Sequence, residues 1–167
     1  VREASNREEF LAAVRATCGV VVDVLDDVEE ARLIHLGVSR GYPLGDRVAC
    51  IFDIGGGSTE FVVGDADRAF YLHSVRAGSL RLYDEYLRDD SAGSLGYRAL
   101  EKYVRATIAP VAAQLADYRF DTLIGTSGTV LGLAALDVAE TGIATQRSHG
   151  YVLRLDRVRA LQKTMIK

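Results

Sequence analysis

Two acids bracket three glycines and two hydroxyls in the stretch IFDIGGGSTE, residues 51–60. Consecutive glycines after an apolar run let a backbone turn tightly and come close to a ligand with no Cβ in the way. Successive N–H groups aimed inward would make an anion nest from Gly55, Gly56 and Gly57, with Ser58 and Thr59 adding hydroxyl donors. Asp53 and Glu60 supply hard oxygen acceptors of the kind that hold Mg²⁺ or orient a water. A phosphate beside a hydrated Mg²⁺ accounts for both halves of the motif. It is not a P-loop, since Ser58 and not Lys follows the last glycine, and it is not a dinucleotide fingerprint, since Glu60 and a β-rich run follow instead of a helix. The plainer alternative is a hairpin turn with glycines for geometry.

A second glycine–hydroxyl cluster, GTSGT at 125–129, follows another apolar run but opens a helical one, where free N–H groups and the helix dipole favour anions. It is not the G-x-S-x-G nucleophile turn, because Thr129 stands where the last glycine would be. Taken alone, Ser127 reads as an ordinary N-cap. Glu30 has a comparable double reading: Asp27 and Glu30 are spaced as a capping box, and most such glutamates only cap. His35, His73 and His149 fall on separate elements without ligand spacing and are assigned no role.

The elements that must position these groups follow from periodicity and punctuation. A helix begins near Ser5 and stops at Gly19. The run VVVDVL (20–25) reads as a strand, and DDVEEARLIHLG (26–37) as a helix capped by Asp27 and ended by Gly37. RGYPLGD (40–46) is turn-rich and marks a boundary. RVACIFDI (47–54) is nearly all apolar, as a central strand would be. Two more strands, STEFVVGD and RAFYLHSV, are joined at Gly64-Asp65-Ala66-Asp67, so residues 48–76 are expected to form three antiparallel strands. SLRLYDEYL is a short helix. A long one, residues 96–118, carries an apolar stripe of Leu100, Tyr103, Val104, Ile108, Val111 and Leu115, which Pro110 is expected to kink or interrupt. FDTLIGT (120–126) is a strand, SGTVLGLAALDVA (127–139) a helix, YVLRLD (151–156) a strand, and RVRALQKTMIK (157–167) a basic amphipathic helix.

Composition sets bounds. The chain has 167 residues, 49% hydrophobic and 26% charged, an ordinary globular balance for one domain or two small ones. Its formal charge of −3 argues against a general nucleic-acid binder. No apolar run reaches the ~20 residues that a membrane span needs. The opening ten residues lack the apolar core of a signal peptide. Cys18 and Cys50 make neither a metal cluster nor a disulfide framework and suggest a reducing cytoplasm. The chain starts at Val1 and holds one methionine, Met165, which reads as a piece of something longer.

Four stretches in order, EEARLIHLGV, FDIGGGSTEFVVGD, HSVRAGSLRLYDEYL and LIGTSGTVLGLAAL, resemble the exopolyphosphatase/guanosine pentaphosphate phosphohydrolase (Ppx/GppA) family of the actin-like ATPase superfamily. The resemblance implies an α/β fold: an actin-like (ribonuclease H-like) lobe whose mixed sheet opens with three antiparallel strands, helices on its faces. It implies the end of a first lobe at 1–38, the core of a second at 46–150 and a terminal strand and helix at 151–167, with the start of the first lobe absent. It implies a cleft in which Glu30 is the base that activates water, Asp53 and Glu60 hold Mg²⁺ or the water, and Gly55, Gly56, Gly57, Ser58 and Thr59 form the phosphate loop. Ser127 and Gly128 match a second phosphate-facing loop. Arg2 and Asn6, in VREASN, match a phosphate-contacting pair. The implied substrates are polyphosphate or guanosine pentaphosphate, with no nucleic-acid or membrane partner and a homodimer for the full-length protein. The chain departs from the family's usual Ser-Gly before the catalytic helix: Asp26 and Asp27 stand there, close enough to compete with Glu30. A non-catalytic phosphate- or nucleotide-binding module is the alternative, and an actin-like kinase a third reading.

Overall fold

The computed structural model describes residues 1–88, 93–142 and 149–165. Six helices and four strands follow in the order α1 (Arg7–Cys18), α2 (Asp27–Gly41), β1 (Ala49–Ile54), β2 (Thr59–Gly64), β3 (Ala69–Val75), α3 (Ser79–Tyr86), α4 (Gly93–Leu115), β4 (Thr122–Thr126), α5 (Ser127–Thr141) and α6 (Leu155–Met165). The strands form one mixed sheet, β3-β2-β1-β4. β1, β2 and β3 are an antiparallel meander, as their turn signals require, and β4 lies parallel to β1. β1 is thus internal, and Ala49, Cys50 and Ile51 are buried. At the β2–β3 turn the Asp65 carboxylate accepts from the amides of Asp67 and Arg68, both at 2.9 Å, the local bond that makes Asp a turn residue.

Register fixes what each face carries, because residues directly opposite point the same way. Ile124, Ile51, Val62 and Leu72 make one apolar row across all four strands. α2 covers that row: Ala31 and Val38 are buried in one core with Leu44, Ala49, Ile51 and Val62, and Ile34, Leu72 and Ile124 pack against it. Further along α2, His35 seats over the β2–β3 turn, its Nε2 2.9 Å from the Asp65 carbonyl oxygen. A Cβ at Gly64 would fall 2.6 Å from that ring, which is why the strand ends in glycine there.

Several expectations need correction. Residues 20–25 form no strand. Val21 is 71% exposed, and the run is absent from the four-stranded sheet; β-propensity makes no strand without a neighbour to exchange hydrogen bonds with. Residues 151–154 are likewise irregular, and α6 already begins at Leu155. The cap of α1 is Asn6, and its stop is Gly19 at φ 68°, the left-handed conformation that glycine tolerates. The cap of α2 is Asp26, one residue earlier than expected, and the helix runs through Gly37 to Gly41. α4 continues through Pro110 without interruption and buries Val111. No helix of the described residues is long and apolar enough to cross a membrane.

Candidate active site

Two residues beyond the apolar row, the same face of the sheet carries a polar one. Thr126 of β4 pairs with Asp53 of β1, Asp53 with Glu60 of β2, and Glu60 with Ser74 of β3. The row reads hydroxyl, carboxylate, carboxylate, hydroxyl. Each acid is held from its outer side: the Thr126 hydroxyl donates to Asp53 Oδ2, and the Ser74 hydroxyl donates to Glu60 Oε1 at 2.8 Å. The two central acids carry like charge side by side. Glu60 is 2% exposed, and burial pushes its carboxyl above the usual glutamate range, the hydroxyls of Ser58 and Ser74 pulling the other way and the charges of Glu30 and Asp53 adding to the rise.

α2 crosses this face so that its first turn reaches the polar row. Asp26 is the N-cap, its Oδ1 accepting from the Glu29 amide at 2.7 Å. Glu29 is therefore the third helical residue, and its carboxylate is taken by Arg32 through two bonds of 2.7 Å. This one-residue shift frees Glu30 from the capping box that its spacing suggested. Glu30 instead meets Arg2: Arg2 Nη1 lies 2.8 Å from Glu30 Oε2 and Nη2 lies 2.7 Å from Asp27 Oδ1, and Nη1 also donates to the Leu25 carbonyl at 3.1 Å. Asp26 and Asp27 thus have tasks of their own, one on the cap and one on the arginine. Arg2, Glu30 and Asp27 line a cleft of about 490 Å³ together with Gly57, Ser58, Ser74, Arg76 and Arg81.

The glycine loop is organised from behind by α3. The Gly55 amide closes the turn on the Ser58 carbonyl at 3.0 Å, while the carbonyls of Gly55 and Gly56 accept from the amides of Ser79 and Arg81 at 2.8 and 3.0 Å. The loop thereby satisfies N–H groups that a helix start would otherwise leave without partners. The close backbone approach that the glycines permit is made by Gly78: a Cβ there would lie 2.4 Å from the Gly56 and Gly57 backbone. Among the described residues, the amides of Gly56, Gly57 and Ser58 donate to no backbone carbonyl.

The structure thus brings Arg2, Glu30, Gly57 and Ser58 into the lining of one cleft, while Asp53 and the buried Glu60 do not line it; Ser74, the strand partner of Glu60, does. Others lie apart from its lining. Thr59 is buried, and its hydroxyl is committed to the Ala77 carbonyl at 2.8 Å. Gly55 and Gly56 serve the loop's own bonding. Asn6 is the exposed N-cap of α1. Ser127 holds φ 82°, the sole non-glycine residue with positive φ among the described ones, and its hydroxyl donates to the Ile54 carbonyl at 2.6 Å, joined by Thr129 at 3.0 Å. That bond ties the second loop to the end of β1 and replaces the capping role read for Ser127. Gly128 borders a separate apolar hollow with Leu133, Leu136 and Met165. Sequence reasoning missed Thr126 and Ser74, which register alone brings beside the acids; a hydroxyl two positions beyond Ile124 and beyond Leu72, on the same strand face, was the available signal.

Among the described residues no group of three or more His, Cys, Asp or Glu is arranged to hold a metal ion. The pair Asp53 and Glu60 nevertheless suits Mg²⁺, which is commonly held by one or two carboxylates with waters and substrate oxygens completing its shell.

Comparison with known proteins identifies relatives of the whole chain. The exopolyphosphatase of Cytophaga hutchinsonii superposes with a TM-score of 0.84 at 27% identity over 99% of this chain and 54% of that one. The Aquifex aeolicus PPX-GPPA enzyme superposes at 0.76 with 28% identity over 99% and 53%. The chain spans about half the length of these relatives. The sequence model of the Ppx/GppA phosphatase family matches residues 1–167, the whole length over which the polar row, the glycine loop and Glu30 were traced, and the chain belongs to that family.

Proposed function

We propose that this chain carries the water-activating half of a phosphoanhydride hydrolase that releases terminal phosphate from inorganic polyphosphate or from guanosine pentaphosphate. The observation that carries the reading is Glu30: it is relieved of the helix cap, lines the same cleft as Gly57 and Ser58, and is close enough for its charge to act on Glu60. A carboxylate with no structural bond to maintain on its own helix is free to take a proton.

In this reading Glu30 accepts the proton of an attacking water as the water approaches the terminal phosphorus in line with the leaving oxygen. Arg2 sits against Glu30 and would hold phosphoryl oxygens bidentately, trading its bond to Asp27 for the substrate. The Gly57 amide, which donates to no backbone carbonyl, lines the cleft beside Ser58 and would face the same anion. Asp53 and Glu60 would hold Mg²⁺, which when bound offsets charge on the transferred group. Their outer hydroxyls, Thr126 and Ser74, fix the orientation of both acids.

The test is phosphate release by the full-length protein from both substrates with Mg²⁺, beside Glu30→Gln. The variant should lose roughly 10²–10⁴-fold in turnover, the span of general-base catalysis, with substrate affinity nearly unchanged. Wild-type turnover in Glu30→Gln would remove the base from the mechanism. Binding of either substrate without any release by the wild type would instead favour a non-catalytic phosphate-binding module.

A further inference from the structure

A second cationic group lines the same cleft, and the reaction described above does not use it. Arg76 follows the end of β3, and Arg81 lies in the first turn of α3. Between them sits the carboxylate of Glu3: Oε1 is 2.7 Å from Arg76 Nη2, and Oε2 is bonded by Arg81 Nη2. Both arginines have anchored backbones. The Arg76 carbonyl accepts from the Tyr103 hydroxyl of α4 at 3.1 Å. The Arg81 amide donates to Gly56, and its Nε donates to the Gly57 carbonyl at 2.9 Å. Arg81 is thus attached to the glycine loop itself, and the pair is held beside it while the guanidinium ends stay accessible.

One carboxylate split oxygen by oxygen between two guanidiniums occupies the position that two oxygens of one phosphoryl group would take. Glu3 is tethered by the short segment that also supplies Arg2, so one stretch of chain places a cation on Glu30 and an anion on the arginine pair. The Arg81 bond and the nearby positive charges hold the Glu3 carboxyl below the usual glutamate range.

We propose that Arg76 and Arg81 form a subsite for a second, non-reacting phosphoryl group of a condensed-phosphate substrate, and that Glu3 occupies this subsite until the substrate displaces it. The proposal rests on the reading of the cleft as a phosphate-cleaving site and adds to it how the enzyme distinguishes a chain of linked phosphates from a single one. Orthophosphate has no second group to offer. Polyphosphate and a nucleoside pentaphosphate both have one.

The experiment is calorimetric titration of the full chain with inorganic tripolyphosphate and, separately, with orthophosphate. Arg76 is the clean position to vary, because its side chain is 71% exposed and it is Arg81 that bonds the glycine loop. Arg76→Gln should weaken tripolyphosphate binding by about tenfold, the effect of one charge-assisted contact, and leave orthophosphate affinity unchanged. Glu3→Gln should tighten tripolyphosphate binding by roughly twofold to fivefold, as expected for removal of an exposed competing ion pair. Circular dichroism confirms that both variants are folded. The proposal is overturned if tripolyphosphate does not bind the wild type, if Arg76→Gln binds it as the wild type does, or if Glu3→Gln binds it no more tightly. The two readings fail separately. Arg76-dependent tripolyphosphate binding with no phosphate release leaves the subsite and removes hydrolysis. Phosphate release with Arg76-independent binding leaves hydrolysis and removes the subsite.

Discussion

Glu30 and Glu29 are adjacent carboxylates on one helical turn, and the position of a single cap separates their tasks. Because Asp26 caps α2, Glu29 turns to Arg32, and Glu30 projects toward the cleft. Glu29→Gln should therefore cost little, because an exposed pair of this kind is screened by solvent, and turnover should match the wild type. Equal losses from Glu29→Gln and Glu30→Gln would mean that the total charge of the turn matters and that no single base acts. Glu60 calls for a different test. Its carboxyl is held above the ordinary glutamate value by burial, so the unfolded chain ionises it first as pH rises. Its folded form is therefore most favourable below the unfolded value, about 4.3, and loses stability as pH rises through the folded value. Glu60→Gln should be more stable than the wild type at neutral pH, with the gap closing as pH falls toward 4. Urea midpoints measured across that range check the sign. A variant that is less stable at pH 7 would show that the charged carboxylate, held by Ser58 and Ser74, is the favoured form.

At the scale of elements, the glycine loop and the start of α3 are one construction. The sequence points to Gly55, Gly56 and Gly57, yet the backbone that needs closeness belongs to Gly78. Gly78→Ala would set a methyl 2.4 Å from loop backbone atoms that cannot move aside. That places it at or beyond the top of the ~1–3 kcal/mol span for overpacking. Gly57→Ala meets nothing within 4 Å and should change stability by less than about 0.5 kcal/mol. Denaturation midpoints for the two variants decide between them, and a tolerated Gly78→Ala would refute the packing argument. The same comparison shows what the sequence reveals about this fold. The three-strand meander was legible because its turn chemistry and its pairing are both local. The strand expected at 20–25 and the one at 151–156 failed because propensity is local and pairing is not. The polar row was half legible: Asp53 and Glu60 lie seven residues apart across one turn, whereas Thr126 and Ser74 reach them only through the register of other strands. Asp26 and Asp27 are adjacent and either could cap α2, so the cap slips by one residue from the expected Asp27 to Asp26, and that slip decides what Glu30 can do.

At the scale of the whole molecule, the C-terminal helix is held by one buried acid. Asp137 of α5 is 2% exposed. It accepts from the Tyr151 hydroxyl at 2.7 Å and from Arg157 Nε at 2.5 Å, and Arg157 continues to Glu140 at 2.8 Å. Three parts of the chain meet on this carboxylate: α5, the irregular segment before α6, and α6 itself, which buries only Leu161 among the described residues. With so little apolar burial, α6 depends on the polar clasp. The Tyr151 hydrogen bond, followed by Arg157, draws the Asp137 carboxyl below the ordinary aspartate value. The sign is therefore opposite to that of Glu60: the contribution of Asp137 is present above the unfolded value, about 3.9, and is lost as pH falls through the folded one. Asp137→Ala should release α6 without disturbing the sheet. Hydrogen exchange at neutral pH should speed up across residues 155–165, while β1 and β2 keep their protection. The stability gap between wild type and variant should shrink as pH falls below about 4. If exchange in α6 is unaltered by Asp137→Ala, or if the gap persists undiminished at pH 3, then Leu161 and the α5 surface hold the helix and the clasp is incidental.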